Sequence, residues 1–127
     1  MTETLSLSEL QLALLRVLWA QGQASAAEVV QALQPERALA HTTVATLLTR
    51  LEKRGVVAAD RSGRQISYRP LVSEDEVQRS MVSGLLATLF DGKASALLSH
   101  LLAQDEVDAD DLVRMRRLLA QRKASHD

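Results

Sequence analysis

The 127 residues contain no cysteine. Disulfides, cysteine-ligated zinc and thiol redox chemistry are therefore excluded, and the chain suits a reducing compartment. Aromatic residues are almost missing: Trp19, Tyr68 and Phe90 are the only three. A core must be assembled from leucine, valine and alanine, a palette that favours helices. No apolar run approaches the roughly 20 residues that a membrane span needs. The first residues lack the basic stretch and apolar block of a secretory signal. No membrane partner is expected, and the expected location is the cytoplasm. There is no glycine-rich phosphate loop, nucleophile elbow or paired catalytic arrangement, so no enzyme is expected. His41, His100 and His126 lack metal-ligand spacing. The acidic run from Asp105 to Asp111 lacks the central glycine and terminal glutamate of a calcium loop. Neither a metal nor another cofactor is expected.

What the chain has is an uneven distribution of charge. The formal net charge is only −1, but residues 1–69 carry +2 and residues 70–127 carry −3. The basic excess concentrates between His41 and Arg69, where Arg50, Lys53, Arg54, Arg61, Arg64 and Arg69 face only Glu52 and Asp60, a balance of +4. This segment reads as an amphipathic helix followed by a basic hairpin, a shape suited to a DNA groove and its flanking phosphates.

The periodicity places three helices before that hairpin's end. Ser8 and Gln11 have capping-box spacing, with Leu7 and Leu12 at staple positions, and Leu14, Leu15, Leu18 and Trp19 form an apolar stripe that stops at Gly22. Ser25 and Glu28 open a second, short helix with Val29, Val30 and Leu33 on its apolar side; Pro35 is incompatible with its continuation. The third helix runs from about His41 to Arg54. Val44, Leu47, Leu48 and Leu51 share its apolar face, and Thr42, Thr46, Thr49 and Lys53 lie opposite, flanked by Thr43 and Arg50. Ala40 is a poor cap, so the start is expected a residue or two late, at Thr42 or Thr43. Gly55 fits the left-handed position after the helix end. Val56–Ala59 and Gln65–Arg69 are short strand candidates, turned at Ser62-Gly63, and Pro70 ends the pairing. Trp19 and Tyr68 are expected to pack.

The remainder reads as three further helices. Ser73 and Glu76 form a capping box before the stripe of Val77, Met81, Leu85, Leu86, Leu89 and Phe90, which ends at Asp91-Gly92. Leu97, Leu98, Leu101 and Leu102 mark a short helix. Asp108 caps a last one, in which Leu112, Met115, Leu118 and Leu119 are apolar and the acidic start and basic end match the helix dipole. Such leucine-rich helices are too few to make an independent monomeric core, and pairing with a second chain would bury their stripes.

Three segments together resemble the penicillinase-repressor family of winged-helix transcriptional regulators, the BlaI/MecI/CopY group. They are LSELQLALLRVLW, ending at Trp19; TVATLLTRLEKRGVV, starting at Thr43; and the wing pattern Gly63-Arg64-x-x-x-Tyr68-x-Pro70. The resemblance spans nearly the whole chain and implies a homodimeric repressor of a palindromic operator, dimerising through its C-terminal helices. Two departures stand out. The β-lactam-responsive members are cleaved at an Asn-Phe bond, where this chain reads His100-Leu101. The copper-responsive members carry C-terminal cysteine pairs, which are absent here. A regulatory protease stays open as a partner, and the inducing signal is not implied.

The expected fold class is mainly α: a winged helix-turn-helix of three helices and a two-strand wing over residues 1–70, then an all-helical dimerisation region over 71–127. Double-stranded DNA is expected to meet Thr42, Thr43 and Thr46 at the reading end, Arg50, Lys53 and Arg54 behind them, and Arg61 and Arg64 on the wing. Dimerisation is assigned to Met81, Leu85, Leu86, Leu89, Leu97, Leu101, Leu112, Met115, Leu118 and Leu119. The alternative, from another class, is a winged-helix protein-interaction module without operator binding.

Overall fold

A computed structural model describes residues 5–126. The element order is α1 (Glu9–Gln21), β1 (Ala24–Ser25), α2 (Ala26–Leu33), α3 (His41–Lys53), β2 (Val57–Asp60), β3 (Ser67–Pro70), α4 (Glu74–Leu89), α5 (Ala94–Ala103) and α6 (Ala109–His126). The fold is a winged helix-turn-helix followed by helices, as the sequence pattern predicts. The chain divides into two compact units, and the division falls inside α4, after Gly84.

The helix starts follow their caps. Ser8 accepts from the Gln11 amide at 3.1 Å and Gln11 Oε1 accepts from the Ser8 amide at 3.0 Å. The same reciprocal pairing joins Ser25 to Glu28 and Ser73 to Glu76. Asp108 and Asp111 close an all-acid version at the start of α6, with the Asp111 amide donating to Asp108 Oδ1 at 2.8 Å. Each satisfies first-turn amides that the helix itself leaves unpaired.

α3 is the exception. It starts at His41, without the delay that a poor cap suggests, and its N-cap Ala40 supplies no side-chain bond. Burial of Val44 in its first turn holds the start in place of a cap. The other end is sharply defined. The Gly55 amide donates to Glu52 O at 3.0 Å and the Val56 amide to Leu51 O at 3.0 Å, with Gly55 at φ +76°. This Schellman closure needs a left-handed residue, which glycine adopts without strain. It also engages the Val56 amide in the helix end, so the strand begins at Val57 and not at Val56.

The second wing strand likewise starts later than its sequence suggests. Val57, Ala58, Ala59 and Asp60 pair with Pro70, Arg69, Tyr68 and Ser67, leaving Gln65 and Ile66 in the turn. The sheet has three strands in the order β1-β3-β2, where two are expected. Ala24 and Ser25 pair antiparallel with Tyr68 and Ser67. Two residues are too few to show an alternating pattern, so this strand leaves no periodic signature.

The first unit's core gathers Leu14, Leu15 and Leu18 from α1, Val29 and Leu33 from α2, Val44, Leu48 and Leu51 from α3, Val56, Val57 and Tyr68 around the sheet, and Val77 from α4. Tyr68 is 3% exposed and packs, as expected. Trp19 is half-buried, and its Nε1–H donates to Val72 O at 2.9 Å. Leu47 also departs from the expected pattern: it is half-buried at the rim, while its three partners on that helix face are fully enclosed.

In the second unit no described residue is buried. Leu85, Leu89, Leu98, Leu102, Leu112, Val113, Leu118 and Leu119 are all exposed, with Leu89, Leu118 and Leu119 at 67%, 64% and 66%; Val82, in the first unit, is exposed too. Phe90 meets His100 at a ring-centroid distance of 5.9 Å. Among the described residues no single helix is long and apolar enough to cross a membrane.

Leu48 is wholly enclosed, and truncating it leaves a cavity beneath the third helix. Leu48→Ala should lower unfolding stability by about 2–5 kcal/mol. Denaturant titration followed by circular dichroism measures this.

Candidate nucleic-acid interface

Burial of Val44, Leu48 and Leu51 fixes the rotation of α3 and turns the opposite side outward. Thr42, Thr43, Thr46, Thr49, Arg50, Lys53 and Arg54 are all exposed. Thr42, Thr43, Thr46 and Arg50 join Leu47 around a shallow, open concavity of about 280 Å³. The structure thus brings together four of the residues singled out from the sequence. It adds Leu47, whose apolar side chain stands beside the threonines at the rim. Thr49 turns its hydroxyl back to Ala45 O at 2.9 Å, so that donor is engaged. Threonine hydroxyls can bond base edges or phosphates, and apolar groups suit the thymine methyl.

The cations divide into two groups. Arg50, Lys53 and Arg64 form no ion pair with the described residues. Arg54 and Arg61 are engaged. Arg54 Nη2 donates to Ser6 O at 2.8 Å, tying the end of α3 to the segment before α1. The Arg61 guanidinium clasps Glu52 with both terminal nitrogens, Nη1 to Oε2 at 2.8 Å and Nη2 to Oε1 at 2.7 Å. Sequence spacing gives no hint of either partner, because Ser6 is 48 residues from Arg54 and the Glu52–Arg61 pair crosses from helix to wing.

The electrostatics of the wing follow from these bonds. Hydrogen bonds from Arg61, and its nearby positive charge, hold the Glu52 carboxyl below its ordinary range; the same pair raises Arg61. Asp60 is also lowered, first by the Ser62 hydroxyl and then by the Ser62 amide, which donate to Oδ1 at 2.6 and 3.0 Å. The wing turn is therefore braced by two carboxylates. Arg64, also on that turn, is exposed and has no ion-pair partner among the described residues.

A second hollow, about 210 Å³, lies where the N-termini of α2 and α3 meet β3; His41, Ala45, Gln65, Ile66 and Tyr68 are among its lining residues. Among the described residues no group of three or more histidine, aspartate or glutamate side chains is placed to hold a metal ion.

The residues assigned to dimerisation fall into two sets. Leu85, Leu89, Leu112, Leu118 and Leu119 are exposed, whereas Met81, Leu86, Leu97, Leu101 and Met115 are half-buried. On α5 the more exposed leucines are Leu98 and Leu102, one position beyond those assigned. Val82 and Val113 are exposed as well, and were visible in the sequence only as isolated valines.

The winged-helix geometry and its exposed helix face agree with one sequence comparison across almost the whole chain. The profile of the penicillinase repressor family matches residues 7–121. The chain belongs to that family. The transcriptional regulator BlaI of Mycobacterium tuberculosis strain ATCC 25618 / H37Rv is 34% identical over 128 residues, covering 99% of this chain and 91% of that protein. The solution structure of the DNA-binding domain of the repressor BlaI aligns with a TM-score of 0.51 and 26% identity, over 60% of this chain and 93% of that domain. The monomeric form of Bacillus licheniformis BlaI, solved in complex with the blaP half-operator, aligns with a TM-score of 0.50 and 26% identity over the same shares. The family resemblance carried by the three sequence segments is borne out.

Because the carboxyls of Glu52 on α3 and Asp60 on the wing are both lowered in the folded state, their bracing is complete above the ordinary carboxylate range. It is lost as the pH falls through their depressed folded values. On acidification, the amide resonances of Arg61 and Ser62 should shift with midpoints lower than those of unperturbed glutamate and aspartate carboxyls. A two-dimensional NMR titration reads this directly.

Proposed function

We propose that this penicillinase-repressor family member is a homodimeric transcriptional repressor that binds a palindromic operator. α3 enters the major groove in each half-site. Thr42, Thr43 and Thr46, with Leu47 beside them, meet base edges. Arg50 and Lys53 meet phosphates, and the wing grips the flanking backbone. The observation that carries this reading is the outward face of α3. Its hydroxyls at 42, 43 and 46 and its cations at 50 and 53 stand together, exposed, on the side opposite an enclosed apolar stripe. Membership of a repressor family, and likeness to a BlaI form solved with a half-operator, support it.

In this reading residues 1–70 recognise DNA and residues 71–127 hold the dimer, with the first part of α4 seated on the DNA-binding unit through Val77. The exposed apolar residues of α4, α5 and α6 support a second copy as the partner, because so many apolar side chains are poorly tolerated in water. Two-fold symmetry of the protein then mirrors that of the site, and the two recognition helices lie about 34–36 Å apart or at a multiple of that distance. Repression follows from occupying a promoter, and the protein works in the cytoplasm.

Removing both Arg50 and Lys53 side chains should weaken binding to the DNA upstream of the protein's own gene about tenfold or more. It should also flatten the dependence of log K on log[salt] by roughly 1.8, for two lost phosphate contacts. Gel shifts over a salt series measure both, and unchanged binding would favour a protein-interaction module. Leu118→Glu should place a charge inside the dimer contact. Sedimentation should then show monomers and a reduced operator affinity, whereas a wild type that stays monomeric at high concentration refutes the dimer.

A further inference from the structure

Two arginines lie on the wing turn, and the structure treats them differently. Arg64 makes no ion pair with the described residues, while Arg61 has both terminal nitrogens on Glu52. Glu52 lies on α3, the helix that carries the reading face, and is its only acidic residue. Its side chain is 27% exposed, and that of Arg61 is 56% exposed. An unpaired carboxylate on this helix would repel the phosphates that Arg50 and Lys53 attract. If Arg61 left Glu52 for a phosphate, one favourable contact would be exchanged for another and a repulsive charge would be exposed. The planar guanidinium and the carboxylate form two parallel bonds, a geometry that lysine cannot reproduce. The bond also spans two elements, joining the last turn of α3 to the residue that follows β2.

We propose that Arg61 is a positioning residue for DNA binding and not a phosphate contact: it cancels Glu52 and fastens the wing to α3, so that of the two arginines on the wing turn Arg64 is the one that delivers its charge to the backbone. This inference rests on the operator-binding reading and refines the assignment of its wing residues. The Asp60–Ser62 bonds brace the same turn from within, which leaves the guanidinium of Arg61 as its tie to the recognition helix.

The test is the salt dependence of binding, measured by fluorescence anisotropy on two duplexes: the gene's own upstream DNA and a mixed-sequence duplex. Each phosphate contact contributes about 0.9 to the slope of log K against log[salt]. Arg64→Ala should therefore lose about 0.9. Arg61→Ala and Arg61→Lys should both keep the wild-type slope while binding the upstream duplex about threefold more weakly, in keeping with a solvent-exposed pair. Glu52→Gln should steepen the slope by up to about 0.9, because it frees a guanidinium; the double variant Glu52→Gln with Arg61→Ala should show no steepening. Hydrogen exchange of the Ser62 and Gly63 amides in the DNA-free protein should accelerate in Arg61→Ala and Arg61→Lys alike. A slope loss in Arg61→Ala equal to that in Arg64→Ala, restored by Arg61→Lys, overturns the proposal and leaves the operator reading intact. Absence of salt-dependent binding by the wild type to either duplex overturns the operator reading itself.

Discussion

The enclosure of three aliphatic side chains on one helix governs what this protein shows to the solvent. Val44, Leu48 and Leu51 occupy the space between α1, α2 and the sheet, and all three are shielded from water. A helix has one rotational setting at which such a stripe is hidden. That setting turns Thr42, Thr43, Thr46, Arg50 and Lys53 outward. Full burial of each such side chain is worth roughly 1.5–3 kcal/mol. It outweighs the missing cap at Ala40 and lets the helix begin where its core face begins.

Local chemistry made much of this legible. The capping boxes at Ser8, Ser25 and Ser73 and the left-handed stop at Gly55 depend on residues a few positions apart, so sequence spacing reveals them. The face of α3 was readable for the same reason. What escaped depends on distance along the chain. The strand at Ala24–Ser25 exists because β3 comes to lie beside it, and two residues carry no period. The partners of Arg54 and Arg61 are chosen by folding. Leu47 illustrates a third case: periodicity placed it with the core, but the stripe is wider than the space beneath the helix, and its edge residue remains at the rim.

The formal charge of −1 conceals how the basic surface is organised. Arg50, Lys53 and Arg64 have no ion-pair partner among the described residues, and the only carboxylate of α3 is neutralised where it stands. The acidic excess belongs to the C-terminal part, where Asp108, Asp110 and Asp111 serve the start of α6. A chain without net positive charge can thus present a positive face, because folding sorts the signs. The apolar residues divide as well: those of the first unit supply every buried apolar position, and none of the described residues beyond Gly84 is fully buried.

Ser25 is at once the last residue of β1, the cap of α2 and the buried neighbour of Ser67. The supporting helix and the wing sheet are therefore indexed to each other through a single residue. An insertion at Ala24–Ser25 would shift the cap and the strand partner together. By contrast, residues 61–66 lie beyond the last cross-strand pair, Asp60 with Ser67. Relatives of this protein should therefore vary in length at the wing tip and hold a constant count between α1 and α2. The reach of the wing can then diverge from one relative to the next while the scaffold that sets the third helix stays in register.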